Sequence, residues 1–279
     1  MAEELVLTPG GMRPLSLVHQ VDEGESLIGV SGVIHKVDAE RSANFLAEGV
    51  AETAMMREVL GLGELRLRPE ETAALGSGWI AYAYWNNGTG STITSFTTTW
   101  EVPQPPPTQS GQTIFLFNGI QNVGNNFGIL QPVLQWGVSA AGGGPYWAVS
   151  NWYVTSGGQA SYTPLVQVNA GDTLTGVMTL TGQTNNLFSY TSEFVGIEGA
   201  LTVQNIAELL WCNETLEAYS ISQCSDYPPG GTAFTGIEIR TIAGDPSLNW
   251  VAVSAVTDCG QQANVASNAN PGGEIDIAY

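Results

Sequence analysis

The sequence predicts an all-β protein, in which an antiparallel β-sandwich or jelly roll over residues 76–279 follows a small α+β segment over residues 1–75. From Trp79 onward, apolar segments rich in Thr, Val, Tyr, Phe and Trp recur, as β-strands do. Clusters of Gly, Pro and Asn separate these segments, and no helical periodicity lies between them. Regularly spaced strands without helices are typical of sandwiches and jelly rolls.

The individual strands follow from these segments. The predicted strands are WIAYAYW, STITSFTTTWEV, QTIFLFNGI, FGILQPVLQWG, YWAVSNWYV, TPLVQVN, DTLTGVMTLTG, LFSYTSEFVG, ELLWCNETLEAY, FTGIEIRTIA, NWVAVSAV and EIDIAY. The stretch PQPPPTQSG is predicted to be a loop, because proline cannot donate to a central ladder.

Residues 1–75 have a different pattern. SLIGVSGVIHKVD predicts one or two short strands, and residues 39–61 predict an amphipathic helix. The apolar positions of that helix recur mostly every four residues: Phe45, Leu46, Val50, Ala54, Met55 and Val59. RLRPEETAALGSG then predicts a linker. Two interpretations stay open for this segment. It is either a removable propeptide, or a permanent part of the protein, as an ordinary small domain or an extension that is packed on the sandwich.

The charge distribution excludes several classes of function. The net charge is −19, and residues 76–279 contain 13 acidic residues against one basic residue, Arg240, with no histidine. Nucleic acid is therefore not expected as a partner, because phosphate binding needs clustered Lys and Arg. Without histidine, the second part has no Ser-His-Asp, Cys-His or His-metal chemistry, so we expect no metal or cofactor there. No apolar stretch reaches membrane-spanning length, and the N-terminus lacks the features of a signal peptide.

The chain has three cysteines, Cys212, Cys224 and Cys259, so at least one has no partner within the chain. Cys212 and Cys224 are close enough in sequence to bridge a turn. The sequence does not decide which two cysteines pair.

Candidate catalytic residues lie in two of the predicted strands. ELLWCNETLEAY contains Glu208, Glu214 and Glu217, and a carboxyl group beside Trp211 in a half-buried strand is expected to have a raised pKa. ILQPVLQW contains two glutamines in an otherwise apolar run, and such amides need hydrogen-bond partners.

Several stretches, in the same order, resemble motifs of the eqolisins, the glutamic peptidases of fungal type. ILQPVLQWG resembles the strand that carries their catalytic glutamine, and Trp211-Cys212-Asn213-Glu214 resembles their Trp-x-x-Glu motif. Four further stretches resemble family segments: SFTTTWEVPQPP, FNGIQN, SNWYV and NAGDTL. The ordered set covers about residues 79 to 245, and it is more specific than any single motif.

The resemblance implies a concanavalin-like sandwich and an acid-active, secreted, monomeric endopeptidase that acts on polypeptides. Gln131 and Glu214 would form the catalytic dyad. Glu214 would take a proton from the attacking water, and the Gln131 amide would stabilise the oxyanion. Gln135 would serve the fold or the cleft. The resemblance further implies substrate-binding roles for Trp211, Trp152, Gln121 and Asn151, although Gln121 and Asn151 replace carboxylates of the family pattern.

Two other functions remain open. Sandwiches of this class also bind carbohydrates, and residues 76–279 contain all eight tryptophans, of which Trp147 and Trp152 are candidates to line a cleft. A glycoside hydrolase would need two carboxyl groups that flank the scissile bond, and Glu208 with Glu214, or Glu214 with Glu193, would be the candidate pairs.

Overall fold

The computed structural model describes residues 3–38, 77–124 and 127–279. The predicted helix with its apolar positions Phe45, Leu46, Val50, Ala54, Met55 and Val59 lies outside the described residues, as does most of the predicted linker. The described residues form strands, turns and two short 3-10 helices, Leu15–Leu17 and Cys224–Asp226. This confirms the predicted all-β sandwich.

The strands are numbered in chain order. They are β1 (Leu5–Thr8), β2 (Gly11–Pro14), β3 (Val18–Gln20), β4 (Glu25–Val30), β5 (Val33–Asp38), β6 (Gly78–Asn86), β7 (Ile93–Glu101), β8 (Thr113–Gln121), β9 (Gly128–Ser139), β10 (Gly142–Thr155), β11 (Ala160–Tyr162), β12 (Val166–Gln167), β13 (Thr173–Thr184), β14 (Leu187–Phe194), β15 (Leu201–Ile206), β16 (Trp211–Tyr219), β17 (Gly231–Thr241), β18 (Val251–Ser254), β19 (Gln262–Ser267) and β20 (Gly273–Ala278).

The strands form two large sheets and one small hairpin. The front sheet has the order β18-β6-β16-β8-β9-β10-β11-β3, with β12 also paired to β10. The back sheet has the order β19-β20-β17-β7-β13-β14-β15-β4-β5, and β1 pairs with β2 alone. Among these pairs, only β11 with β3 and β15 with β4 are parallel in the part of the chain that the structure describes.

The predicted strands mostly match the observed ones, with one overestimate and several omissions. TPLVQVN contributes only the two residues of β12. The omitted strands are short or strongly polar: β11, β15, β19 and the first three strands of the chain. Such segments lack the continuous apolar run or the clean alternation from which strands are predicted.

The main core lies between the two sheets. Phe96 and Trp100 of β7 pack there in one cluster with Leu116 of β8 and Leu134 of β9. A second apolar cluster lies on the opposite, outer face of the front sheet, and it contains Phe115, Phe117, Val133 and Trp152. The front sheet is therefore buried on both of its faces.

Residues 3–38 are built into the sandwich. Strand β3 extends the front sheet beside β11, and β4 with β5 extends the back sheet beside β15. Leu27 and Ile28 of β4 are fully buried, and Leu27 belongs to the main core. Strands β4 and β5 are thus an integral part of the back sheet, whereas removal of residues 1–75 remains a prediction.

A disulfide and a group of hydrogen bonds connect the loops around residues 108, 224 and 259. Cys224 and Cys259 form a disulfide, and Cys212 is a buried free thiol. Beside the disulfide, the buried Asp226 accepts hydrogen bonds from the hydroxyl groups of Thr108 and Ser110, and from the backbone N–H of Ser222. Burial acts to raise the pKa of Asp226, but these hydrogen bonds outweigh it and hold the pKa well below its usual range.

Candidate active site

The strand register decides which side chains share a face of the front sheet. Glu214 of β16 lies opposite Asn118 of β8, and the next residue along β16 in either direction points to the other face. Asn118 in turn lies opposite Pro132 of β9, because the flanking pairs are Ile120 with Leu130 and Phe117 with Val133. Glu214 is therefore in the row of Asn118 and Pro132.

This row faces the interior of the sandwich. Gly176 of the back sheet lies directly against this row. A Cβ atom added to Gly176 would be only 2.5 Å from Asn118 Oδ1 and 2.7 Å from a side-chain atom of Pro132. Glu214 is 0% exposed, and its Oε1 accepts a hydrogen bond of 2.6 Å from Thr98 of the back sheet. Burial raises the pKa of Glu214 well above its usual range, against a smaller opposite effect of the Thr98 hydrogen bond.

Gln131 points the other way. It pairs with Trp152 of β10, whose side chain belongs to the outer cluster, and its neighbour Pro132 faces inward. The structure thus places the two residues of the expected dyad, Gln131 and Glu214, on opposite faces of one sheet. The Trp-x-x-Glu motif does not show on which face of the sheet its glutamate lies. Alternation along a strand fixes the face of a residue only once the register of the strand is known.

The expected substrate-binding residues divide in the same way. Trp152, Trp211 and Gln121 lie on the outer face with Gln131, since Trp211 pairs with Gln121 and Gln121 with Ile129 of the outer cluster. Asn151 faces the interior, where its amide donates to Gly199 O and accepts from the Ser192 hydroxyl. The outer face therefore keeps three of the four predicted binding residues.

Another residue takes the position across from Gln131. Gly119 lies between β9 and β16 in that row and pairs with Asn213, whose amide donates to Gly119 O. A Cβ on Gly119 would lie 3.0 Å from the Asn213 amide, so the missing side chain leaves room for it. The outer face consequently presents an amide to Gln131, where the expected dyad requires a carboxyl group.

The outer face has its own carboxyl group, Glu217. It lies in register with Phe115 of the outer cluster and is 0% exposed. Its Oε1 accepts a hydrogen bond of 2.7 Å from the backbone N–H of Gly10, at the tip of the β1–β2 hairpin, and another from the Tyr219 hydroxyl. Alternation along the strand predicts that Glu217 and Glu214 point to opposite faces, but the sequence does not show which face carries the site.

The surroundings of Glu217 set its protonation. Burial raises the pKa of Glu217 to about 7, although hydrogen bonds from Tyr219 and Gly10, the charge of Arg13 and a hydrogen bond with Trp79 each lower it. A carboxyl group with such a pKa can exchange protons near neutral pH, which suits general acid-base chemistry.

In the described part of the chain, three buried polar atoms on the outer face have no hydrogen-bond partner: Gln121 Nε2, Gln131 Oε1 and Trp152 Nε1. Buried polar atoms are normally satisfied, so a cluster without partners indicates a binding surface. Gln135 is different, because its amide donates to Gly137 O and Gly142 O and accepts from Ser139. These bonds agree with the expectation that Gln135 serves the fold.

Aromatic side chains line one side of this face. Trp211 stacks on Tyr84 and on Trp79, with ring centroids 5.0 and 6.0 Å apart. Tyr82 contacts both Trp79 and Tyr84. Trp79, Tyr82 and Tyr84 are half-buried, so their rings retain surface for a further contact.

One pair of acids considered for a glycoside hydrolase finds little support in the structure. Glu193 is exposed on the back sheet and Glu214 is in the interior, so this pair does not flank a common cleft. Among the residues that the structure describes, no cluster of three or more His, Cys, Asp or Glu could hold a metal ion. None of the described helices is long and apolar enough to cross a membrane.

Comparison with solved structures finds glutamic peptidases among the similar folds. Scytalido-glutamic peptidase with a peptide-based transition state analog matches with a TM-score of 0.47 and 14% identity, over 71% of this chain and 98% of that chain. SCP-B, a member of the eqolisin family in complex with the tripeptide Ala-Ile-His, matches with a TM-score of 0.43 and 15% identity, over 73% and 98%.

A β-porphyranase, BpGH16B from Bacteroides plebeius, matches with a TM-score of 0.25 and 10% identity, over 48% of this chain and 54% of that one. No protein-family model and no curated protein matches the sequence. At such identities the likeness transfers no residue role, so roles must follow from the contacts of this chain.

Proposed function

We propose that this protein is a secreted, monomeric glutamic-type peptidase in a latent form, whose catalytic carboxyl group is Glu217 on the outer face of the front sheet. One contact carries the proposal: the buried Glu217 already holds a peptide amide, that of the Pro9–Gly10 bond. The nitrogen of that bond is in the position that a leaving amine would take in a substrate. The Cys224–Cys259 disulfide supports an extracellular site of action, where disulfides persist.

In this proposal the hairpin of β1 and β2 blocks the site. Thr8 and Pro9 at its tip are buried, and Ala140 of the sandwich donates its N–H to Leu7 O. When the hairpin leaves, an extended polypeptide substrate takes its place, and the unpaired Oε1 of Gln131 and Nε2 of Gln121 bind the substrate backbone. Trp152 and Trp211 form apolar walls beside it.

The chemistry follows from Glu217. As a carboxylate, Glu217 takes a proton from a water molecule whose oxygen attacks the scissile carbonyl carbon. It then returns that proton to the nitrogen as the carbon–nitrogen bond breaks. Exposure of Glu217 on opening removes part of the burial that raises its pKa, so we expect activity to extend below pH 7.

The test opens the hairpin in the full chain. Gly10 has φ +83°, which proline cannot adopt, and proline has no N–H for Glu217. We expect Gly10→Pro to cleave an unfolded protein substrate between pH 3 and 8, and Gly32→Pro to match the wild type. Gly32 is a matched control, because it has a similar φ of +81° in the β4–β5 turn.

The catalytic carboxyl group is then identified in the Gly10→Pro background. We expect Glu217→Gln to lower kcat at least about 100-fold, and Glu214→Gln to change it by no more than a few-fold. The reverse order would assign catalysis to Glu214. A folded Gly10→Pro protein that cleaves nothing at any pH would refute the proposal.

The aromatic array supports a second candidate function, binding of carbohydrate. The rings of Trp79 and Tyr84, both stacked on Trp211, offer the flat apolar surface on which sugar rings pack. A glycan array would test this, with Tyr84→Ala as the variant. Specific binding that this variant loses, without peptide cleavage by Gly10→Pro, would favour the second candidate.

A further inference from the structure

The edge of the front sheet at β11 is covered by an extended piece of the chain itself. Strand β3 pairs in parallel with β11, with Val18 opposite Ala160 and Gln20 opposite Tyr162. The pairing continues where the Val21 N–H donates to Tyr162 O over 2.7 Å. The backbone of β11 therefore accepts an added strand, which is a general mode of peptide recognition.

Side-chain anchors accompany this backbone pairing. Val18 lies in the outer cluster with Phe117, Trp152 and Ala160, and Val21 lies in the main core at 1% exposure. Between them, His19 and Gln20 are exposed. The bound segment thus has an aliphatic residue at two positions three apart, with two unrestricted positions between them.

Strands β3 and β4 differ in how firmly they are held. Strand β3 is only three residues long. In β4, Leu27 and Ile28 are fully buried in the back sheet. A turn joins the two strands, with the Glu25 N–H donating to Asp22 O and with Gly24 at φ +84°. Residues 3–21 can open at this turn while β4 stays in place, and the opening withdraws the buried aliphatic side chains of Val18 and Val21.

We propose that the edge of β11 and the apolar site of Val18 form a docking site for an extended segment of the polypeptide substrate. The substrate segment runs parallel to β11 and supplies aliphatic side chains at two positions three apart. The inference rests on the proposed function, because the opening that frees Glu217 also frees this edge. Docking here selects substrates by a sequence away from the bond that is cleaved.

The test uses the full chain and a fluorescein-labelled peptide of residues 16–23, SLVHQVDE, in a polarisation assay. Val18→Asp weakens docking of the chain's own segment and leaves the site on the sandwich intact. We expect this variant to bind the peptide at least about 10-fold more tightly than the wild type. A peptide with aspartate at both valine positions should bind at least about 10-fold more weakly.

A second variant, a pair of cysteines, distinguishes an effect on docking from an effect of misfolding. Val18→Cys combined with Ala160→Cys joins the paired positions, so oxidation should hold the edge closed and abolish peptide binding, and reduction should restore it. A folded Val18→Asp protein that binds both peptides equally, or neither, would overturn the inference. Dimerisation of the wild type through this edge would assign the site to a second copy of the chain and would also overturn it.

The outcomes separate this inference from the proposed function. Polarisation needs no hydrolysis, so peptide binding by a protein that cleaves no substrate would refute only the peptidase. Cleavage by Gly10→Pro without peptide binding by Val18→Asp would refute only the docking site.

Discussion

The two faces of the front sheet both bury polar groups among apolar side chains, but different parts of the chain cover them. The back sheet covers the inner face, where Glu214 bonds to Thr98. Residues 3–21 cover the outer face, where Glu217 bonds to Gly10 at the tip of a hairpin. Burial by a whole sheet lasts as long as the fold does, whereas in the proposed function burial by the hairpin ends when the hairpin leaves. The proposal therefore assigns a structural role to Glu214 and a catalytic role to Glu217, three residues apart.

The largest expected effect is on the pH dependence of stability. Glu217 has a raised pKa, so the folded state binds its proton more tightly than the unfolded state. Its contribution is fully present below the ordinary pKa, and it falls by about 3 kcal/mol as pH rises to 7. Urea unfolding should show lower stability at pH 7.5 than at pH 4.5, and Glu217→Gln should reduce the difference.

Asp226 provides the control for this measurement. Its pKa is lowered, so its contribution is present above the ordinary pKa and is lost only as pH falls through the lower, folded-state value. Asp226→Asn should therefore lower stability equally at pH 4.5 and 7.5. Equal stability of the wild type at both pH values would show that Glu217 is not buried in solution.

A second prediction concerns the inner acid. Glu214→Leu leaves the Thr98 hydroxyl without its buried acceptor, so we expect a loss of about 2 kcal/mol in the free energy of unfolding. Glu214→Gln keeps an acceptor for Thr98 and should cost less than about 1 kcal/mol. If both variants unfolded at the wild-type urea concentration, Glu214 would not contribute to the inner face as described.

The smallest expected effects come from glycine-to-alanine substitutions, one on each face of the front sheet or against it. On the inner face, Gly176→Ala places a Cβ 2.5 Å from Asn118 Oδ1 and 3.0 Å from Trp100, and we expect a loss of about 2 kcal/mol. On the outer face, Gly119→Ala meets the Asn213 amide at 3.0 Å, and its cost should be about 1 kcal/mol. Thermal unfolding would rank the stabilities of the two variants. A larger loss for Gly119→Ala than for Gly176→Ala would mean that the outer face, and not the inner one, tolerates the added methyl group less well.

The sandwich could be predicted because long strands such as β8 and β9 carry apolar runs that only a doubly covered sheet explains. The residues that the sequence grouped in one candidate site lie partly together, since Gln131, Gln121, Trp152 and Trp211 share a face, whereas the site itself stays a prediction. The faces that Glu214 and Glu217 occupy could not be assigned from the sequence, because they depend on the register of β16 against β8. The cover that Gly10 provides depends on contacts with a distant part of the chain, which no local pattern encodes.

The long sequence separation of the contacts made by residues 3–38 has a consequence for synthesis on the ribosome. The bond between Gly10 and Glu217 spans 207 residues, and that between Gln204 and Ser26 spans 178. At ribosomal rates of about 5 to 20 residues per second, the first strands wait about 10 to 40 s for their partners. During that interval the nascent chain exposes Val18, Leu27 and Ile28 to chaperones. The segment that completes the sandwich is made before the strands with which it pairs, and it can fold only after them.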